Sequence, residues 1–199
     1  YTQFVVPGLI MMNMAQNAFA NSSSSLVIAK VQGNIVDVLM SPLSYAELFL
    51  GYVAGGVFRG MMIGVVCIVL FAVLKGFIPQ SIITLLVFGA MGTSMMAIMG
   101  IIGGIWADRF DNLAAFSNFF IIPLTFLSGT FFSLDQLSGI WRDIAFFNPF
   151  FHMIDGFRAG MTGVSETPIL TSFIVLLITN IVLAFIALRI LKTGYKLKS

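Results

Sequence analysis

Long apolar runs that are almost free of charge constrain this sequence more than any other feature. A helix that crosses about 30 Å of hydrocarbon needs roughly 20 apolar residues. The chain carries five runs of that kind, at about 4–28, 48–74, 81–106, 113–132 and 169–191. The runs are too long for buried strands and lack the alternation of a transmembrane barrel. The sequence therefore predicts an all-α membrane protein, a polytopic helical bundle with five visible spans.

Composition excludes the main soluble classes of protein. Of the 199 residues, 59% are hydrophobic and only 9% are charged, whereas an ordinary soluble domain carries about 25% charged residues. So few charges cannot build a water-facing surface. This argues against a soluble enzyme, a disordered chain and a protein that binds nucleic acid, and we expect membrane lipids to surround the chain.

Positive charges predict how the spans are oriented. One set of span ends carries six basic residues, namely Lys30, Arg109, Arg189, Lys192, Lys196 and Lys198. The opposite set carries Lys75, Arg142 and Arg158. Because basic residues collect on the cytoplasmic side, we expect a multi-pass protein with a cytoplasmic C-terminus. Tyr1 would then lie outside, and we expect one further span before it, six in total.

A short amphipathic helix is predicted between the first two runs. Its apolar residues follow an i, i+3, i+4, i+7 spacing, at Ile35, Val38, Leu39 and Pro42, while Asn34 and Asp37 lie on other faces. The helix should end before Pro42, since a residue that precedes proline leaves the helical region. Such a helix could transmit force from a soluble partner or only lie on lipid headgroups. Beyond it, Ser44 and Glu47 form a capping box for the next run.

Amide side chains mark one face of the first run. Asn13, Asn17 and Asn21 are spaced by four, and Gln16 lies nearby. Amides in hydrocarbon need partners, so we expect this face to point at another helix or at a wet cavity. Two interpretations stay open, namely hydrogen bonding between helices and the lining of a substrate path.

A single arginine and a row of glycines stand out in the second run. Arg59 lies deep in the run, where an unpaired charge costs at least about 2.5 kcal/mol, and no acidic residue lies within a helical turn of it. We expect this buried charge to bond across helices, to backbone carbonyls or to a lipid headgroup, with Asn17 and Asn21 as possible acceptors. Small residues predict close helix packing, at Gly51, Gly55, Gly56, Gly60, Gly64, Gly100 and Gly104. In the fourth run, Pro123 predicts a kink.

The longest external segment has a hairpin pattern. Its stretch 144–157 is too short to span and too apolar to lie in water, which predicts a re-entrant or interfacial hairpin broken at Pro149. His152 and Asp155 are three residues apart and could share a face. With no second histidine in the chain and no cysteine near them, a metal site is not expected, and a structural hydrogen bond is the favoured interpretation.

The sequence also limits how the protein could be powered. The phosphate-binding pattern G-x-x-x-x-G-K-[ST] does not occur in the chain. The energy must therefore come from another chain or from an ion gradient. We find no acidic residue inside a predicted span, which argues against an ion-coupled transporter.

Three separated motifs resemble those of one family. They are FVVPGL at 4–9, LMSPLS at 39–44 followed by Glu47, and an external pair formed by SGTFFS at 128–133 and NPFFHMIDGFR at 148–158. In this order, with spans between them, they resemble the ABC-2 type permeases, the transmembrane subunits of bacterial ABC exporters. The resemblance covers essentially the whole chain as a single transmembrane domain. The family's N-terminal interfacial helix and first span are missing from it.

The resemblance implies an architecture and a set of sites. Two permease copies, expected as a homodimer, would pair with two ABC ATPase subunits in the inner (cytoplasmic) membrane. ATP and magnesium would sit on the ATPase, and this chain would hold no cofactor and no catalytic residue. The coupling helix that docks on the ATPase would comprise Asn34, Ile35, Asp37, Val38, Leu39, Met40 and Pro42. The external gate hairpin would comprise Asn148, Pro149, His152, Asp155 and Arg158.

The resemblance also implies what the protein moves. The substrate path would lie between the two permeases, lined by the first and fourth visible spans and by Asn13, Gln16, Asn17 and Asn21. Family members export amphiphiles, whether drug-like, lipidic or glycan. The alternatives are a channel or ion-coupled carrier that works without an ATPase, or an intramembrane enzyme that uses His152 and Asp155.

Overall fold

Helices account for nearly all of the regular structure. The computed structural model describes residues 2–35, 42–76, 78–126, 128–130 and 139–193, and it shows no strand within these ranges. Eight α-helices and one π-helical turn are present there, namely α1 (Thr2–Val31), α2 (Tyr45–Lys75), α3 (Ile82–Trp106), α4 (Phe110–Phe116), the π turn (Ser117–Ile121), α5 (Ile122–Phe126), α6 (Ile140–Phe147), α7 (Pro149–Thr162) and α8 (Ile169–Thr193). The prediction of an all-helical fold is confirmed.

Three of the described helices are long and apolar enough to cross a membrane, judged by length and composition alone. These are α2, α3 and α8. Helix α1 is 30 residues long, but its amides and serines reduce its hydropathy, and it does not meet the same criterion. The predicted boundaries of these four runs agree with the helices to within about three residues, an ordinary uncertainty for helix ends.

Helix α3 forms the centre of the bundle. Most of its membrane-length segment is buried, and it packs against α1, α2, α7 and α8. Glycine makes the close approaches possible: a Cβ added at Gly100 would lie 2.6 Å from the Phe19 carbonyl oxygen, and one at Gly60 would lie 2.6 Å from Thr93 Cγ2. The glycine row was predicted as a packing feature, and at these two positions the structure confirms it.

One end of the bundle collects basic residues. Lys30 donates to the carbonyl oxygens of Ile105 and Ala107 and lies 3.7 Å from an Asp108 carboxylate oxygen, so the last turns of α1 and α3 meet there. Leu191, in the last turn of α8, belongs to one hydrophobic cluster with Leu26 of α1 and Ile105 of α3. The chain therefore brings the C-terminal ends of α1, α3 and α8 together, as the charge pattern predicted for these three span ends.

The fourth predicted span is not one regular helix. Helix α4, the π turn and α5 follow one another without a gap, and we call residues 110–126 the α4–α5 rod. Within the rod, the Ile122 N–H bonds to the Ser117 carbonyl oxygen, five residues back. The wider turn lies directly before Pro123, which has no N–H to donate to the preceding turn. A π turn thus lies directly before the residue at which a kink was expected, and the predicted end of this span at residue 132 lies outside the described residues.

The segment that was predicted to be external folds as two helices separated by one residue. Asn148 has an extended backbone (φ −77°, ψ 116°) between α6 and α7, and Pro149 is the first residue of α7. A break at this position matches the prediction. Helix α7, however, extends to Thr162 and is buried from Phe150 to Met161, so it is a core element of the bundle and not only the second arm of a hairpin.

Candidate functional site

The predicted amide row lies on the outer surface of α1. Asn13 and Gln16 are exposed, while Asn17 and Asn21 are half-buried. The Asn17 side-chain amide donates to the backbone oxygen and to Oδ1 of Asn13, both at 3.0 Å. Asn17 and Asn13 therefore bond along their own helix, and within the described ranges the amide row makes no side-chain hydrogen bond to another helix. Of the row, Asn21 lies against α2, where a Cβ added at Gly55 would be 3.4 Å from its side-chain nitrogen, so the expected bonding between helices is not met within one copy of the chain.

A groove of about 530 Å³ runs beside the amide row, between α1 and the α4–α5 rod. Its polar lining includes Gln16, Ser24 and Ser117, and its apolar lining includes Phe19 and Phe110. The lining is mostly apolar, so the groove offers burial to an apolar group, and its few polar side chains offer hydrogen-bond partners.

Arg59 is exposed on the outer side of α2 and not enclosed inside the bundle. It makes no hydrogen bond or ion pair with any described residue, so the expected bonds to Asn17 or Asn21 do not form within one chain. Its label as a buried charge therefore needs correction, because its depth along an apolar helix does not enclose it in protein.

The residues predicted to form an external gate begin at the break before α7. The Asn148 side-chain oxygen accepts from the Phe150 N–H at 3.0 Å and so caps α7, while its Nδ2 donates to the Leu124 carbonyl at 2.9 Å. Asparagine is a favoured N-cap and proline is favoured at the first helical position, which explains why α7 starts here. Asn148 thereby ties α7 to the α4–α5 rod beside the groove.

A buried polar network fixes α7 to the start of α8. Asp155 accepts from the backbone N–H groups of Glu166 (2.9 Å) and Thr167 (3.1 Å) and from the Thr167 hydroxyl (2.7 Å). The Thr167 hydroxyl also lies 2.8 Å from Ser172 Oγ, which lies 2.9 Å from Nδ1 of His152. The hydrogen bonds of His152 and Asp155 are thus directed inward, as expected of a structural role.

Arg158 contacts residues from two of the three resembling motifs. Its guanidinium donates to Gly129 O at 2.7 Å and to Glu166 Oε1 at 3.2 Å, lies 3.9 Å from Asp155, and stacks over the Phe4 ring at 3.7 Å. Phe4 and Gly129, from two separate parts of the sequence, therefore meet at the buried side chain of Arg158. A charge buried in this way is stable only because it is paired and hydrogen-bonded.

Burial also controls the protonation of His152. The ring is fully enclosed, and its Nε2–H donates to the Phe146 carbonyl at 2.7 Å. Because burial disfavours the charged form, it lowers the pKa of His152, against the opposing effects of the Phe146 carbonyl and of Asp155. A neutral imidazole with both nitrogens bonded has no free position for proton transfer to a substrate.

Sequence reasoning missed the partners of this network. Thr167 and Ser172 lie 12 and 17 positions beyond Asp155, and no local pattern connects them to it. The predicted coupling helix is described only at its two ends. Asn34 and Ile35 follow α1, and Pro42 is exposed. The residues between them, including Asp37, Val38, Leu39 and Met40, lie outside the described residues. No cluster of three or more potential metal ligands occurs in the described ranges.

A comparison of the chain with known families agrees with the motif pattern. The family described as ABC-2 type transporter matches residues 1–162. The chain belongs to this family. It is therefore a transport permease of ABC-2 type with membrane-spanning apolar helices, and such permeases normally work with an ATPase partner.

The relatives of this permease include proteins named for transport and for nodulation. The chain is 36% identical over its whole length, and over 78% of the relative, to "Inner membrane transport permease YadH" of Escherichia coli strain K12. It is 28% identical to "Nodulation protein J" of Rhizobium leguminosarum bv. viciae, over 82% of this chain and 63% of that protein. No solved structure is significantly similar to it. Together with the apolar helices, these relatives support a multi-pass inner-membrane protein.

Proposed function

We propose that this permease is the transmembrane subunit of an ATP-driven exporter, with the substrate path formed between two copies of the chain. The exposed amide row on α1 carries the proposal. Hydrocarbon cannot solvate amides, so a polar face at this depth needs either protein or water against it. A second copy across the row provides both, as a partner wall and an enclosed path.

The groove beside the row suggests the cargo. Its mostly apolar lining suits the apolar part of a molecule, and the neighbouring amide row suits a polar part, so the proposed substrate is an amphiphile of drug-like, lipidic or glycan type. The Asn148–Leu124 bond links the groove wall to α7. Movement of α7 would therefore reach the α4–α5 rod, which makes the segment around Asn148 a candidate external gate.

The energy for transport would come from ATP hydrolysis on the cytosolic side of the membrane. The chain has no phosphate-binding loop, so ATP and magnesium would be held by a separate ABC ATPase, with this chain contributing no catalytic residue. The segment from Asn34 to Pro42 is the proposed docking helix. With the docking helix on the cytoplasmic side of the membrane, the C-terminus would also lie in the cytoplasm.

Cross-linking tests the proposed dimer face. In a Cys67→Ser background, Asn13→Cys should cross-link two copies in membranes with a short bismaleimide, because the amide rows of the two copies face each other. The matched control is Val73→Cys, which is 78% exposed on α2, away from the amide row. Cross-linking of the Val73→Cys copies without cross-linking of the Asn13→Cys copies would contradict the proposed arrangement.

A further inference from the structure

The position of Arg59 on α2 needs a physical explanation. At about 1.5 Å per residue, Arg59 lies about 21 Å from Tyr45 and about 24 Å from Lys75 along a helix that is long and apolar enough to span a membrane. Neither end is within reach of one side chain, so the guanidinium cannot simply extend to a headgroup region. A charge at this depth needs a counter-charge or water.

Within the described part of the chain, that counter-charge is absent. The ion pairs found there are Lys30 with Asp108 and Arg158 with Asp155 and Glu166. Arg59 is exposed and belongs to none of them. Its exposed side thus offers five N–H donors in a planar fork, which is the geometry that binds carboxylates and phosphates.

Helix register places Arg59 beside the amide row. A Cβ added at Gly55 would lie 3.4 Å from the Asn21 side-chain nitrogen, so this part of α2 faces the amide side of α1. Arg59 follows Gly55 by four residues, on the same face of α2. Asn17 precedes Asn21 by four residues on the antiparallel neighbour, so Arg59 and Asn17 lie at the same level.

We infer that the cargo is an amphiphile with an anionic head, and that Arg59 is the residue that selects the negative charge. The inference rests on the proposed function. Charge complementarity carries it: Arg59 supplies the cation and the neighbouring amides supply uncharged hydrogen bonds. The groove on the other side of the amide row accepts the apolar chain, since Gln16 belongs both to the row and to the groove lining. An anionic head on Arg59 would also remove the cost of the unpaired cation in the membrane.

Binding of a fluorescent carboxylate tests the inference. The probe is dansyl-labelled undecanoate, its uncharged control is the methyl ester, and the protein is the permease purified with its ATPase in lipid nanodiscs. The wild-type complex should bind the carboxylate at least about tenfold more tightly than the ester, as expected for a charge-assisted hydrogen bond. Arg59→Gln should remove that difference and leave ester binding unchanged, while Arg59→Lys should retain most of it. The control is Lys75→Gln, which removes a cation at the end of the same helix and should behave as the wild type.

The rate of ATP hydrolysis distinguishes a transported cargo from a lipid that only stays bound to the permease. The carboxylate should raise the rate in the wild-type complex and not in Arg59→Gln. Equal affinity of the wild type for acid and ester overturns the inference, even if Arg59→Gln fails to fold. If the wild-type complex binds the carboxylate but its ATP hydrolysis is not stimulated, the assignment of the carboxylate as cargo is overturned. If the intact complex hydrolyses ATP but binds the acid and the ester equally well, only this inference is contradicted. Failure of the complex to form or to hydrolyse ATP counts against the proposed function itself.

Discussion

At the scale of single residues, α7 depends on polar side chains whose partners come from distant parts of the sequence. Arg158 holds Phe4, Gly129 and Glu166 together, and Asp155 caps the loop that leads into α8. The sequence showed the spacing of His152 and Asp155 and, through the resembling motif, Arg158. The hydroxyl groups that connect His152 to Asp155 could not be seen there, because they become neighbours only after α7 and α8 have packed.

Protonation of His152 should destabilise the fold. Its folded pKa is lowered, so between that value and the unfolded pKa of about 6.5 the unfolded chain binds more protons, and stability rises with pH. The stabilisation is complete above about pH 6.5 and is lost as the pH falls towards the folded pKa. From about pH 7.5 to about pH 5.5 we expect a loss of up to about 1 kcal/mol, measured by unfolding in mixed micelles.

His152→Gln provides the comparison, because His152 is the chain's one histidine. The variant should be less stable than the wild type at neutral pH but show a flatter dependence across this interval. A variant with the same pH dependence as the wild type would mean that other groups cause it.

At the scale of elements, α2 has two faces of different character. The face towards α1 and α3 carries the buried Gly56, Gly60 and Gly64, while Gly51 lies on the exposed face with no atom within 4 Å of an added Cβ. The two kinds of glycine cannot be distinguished by their spacing in the sequence. Their different surroundings give a matched pair for testing how α2 packs.

Gly60→Leu should destabilise the protein by about 2 to 3 kcal/mol, because even a Cβ there would lie 2.9 Å from the Met14 carbonyl oxygen, a backbone atom that cannot rotate away. Gly51→Leu should leave the unfolding free energy unchanged or raise it by up to about 1 kcal/mol, because leucine is the better helix former and meets no atom there. Both are measured by unfolding in the same micelles. Equal effects of the two substitutions would show that α2 does not pack on α1 and α3 through this face.

The helices differ in how well local sequence determined them. The capping box at the start of α2 forms as predicted, with the Ser44 N–H donating to Glu47 Oε2 at 2.7 Å and Ser44 Oγ accepting from the Glu47 N–H at 3.3 Å. Such caps are local and can be read directly from a sequence. The π turn before Pro123 was expected only as a kink, since its form depends on how the rod packs.

At the scale of the whole molecule, the proposed function rests on polar groups that lie on an otherwise apolar surface. The amide row, Arg59 and the groove lie on the outside of one copy, where lipid alone cannot satisfy them. The sequence located the amides and the arginine correctly along their helices, but their common outward direction follows only from the packing of α1 and α2. The proposed dimer and its path are the simplest arrangement that satisfies all of these groups.

ATP hydrolysis in reconstituted vesicles tests the central claim most directly. The ATPase that co-purifies with this permease should hydrolyse ATP faster in its presence, and Leu39→Asp in the proposed docking helix should abolish that stimulation while leaving the permease folded. Leu50→Asp, on the exposed face of α2 one turn beyond the capping box, is the control for a new charge near the same end of the bundle. Stimulation that survives Leu39→Asp, or solute movement by the permease alone under an ion gradient, would contradict the account.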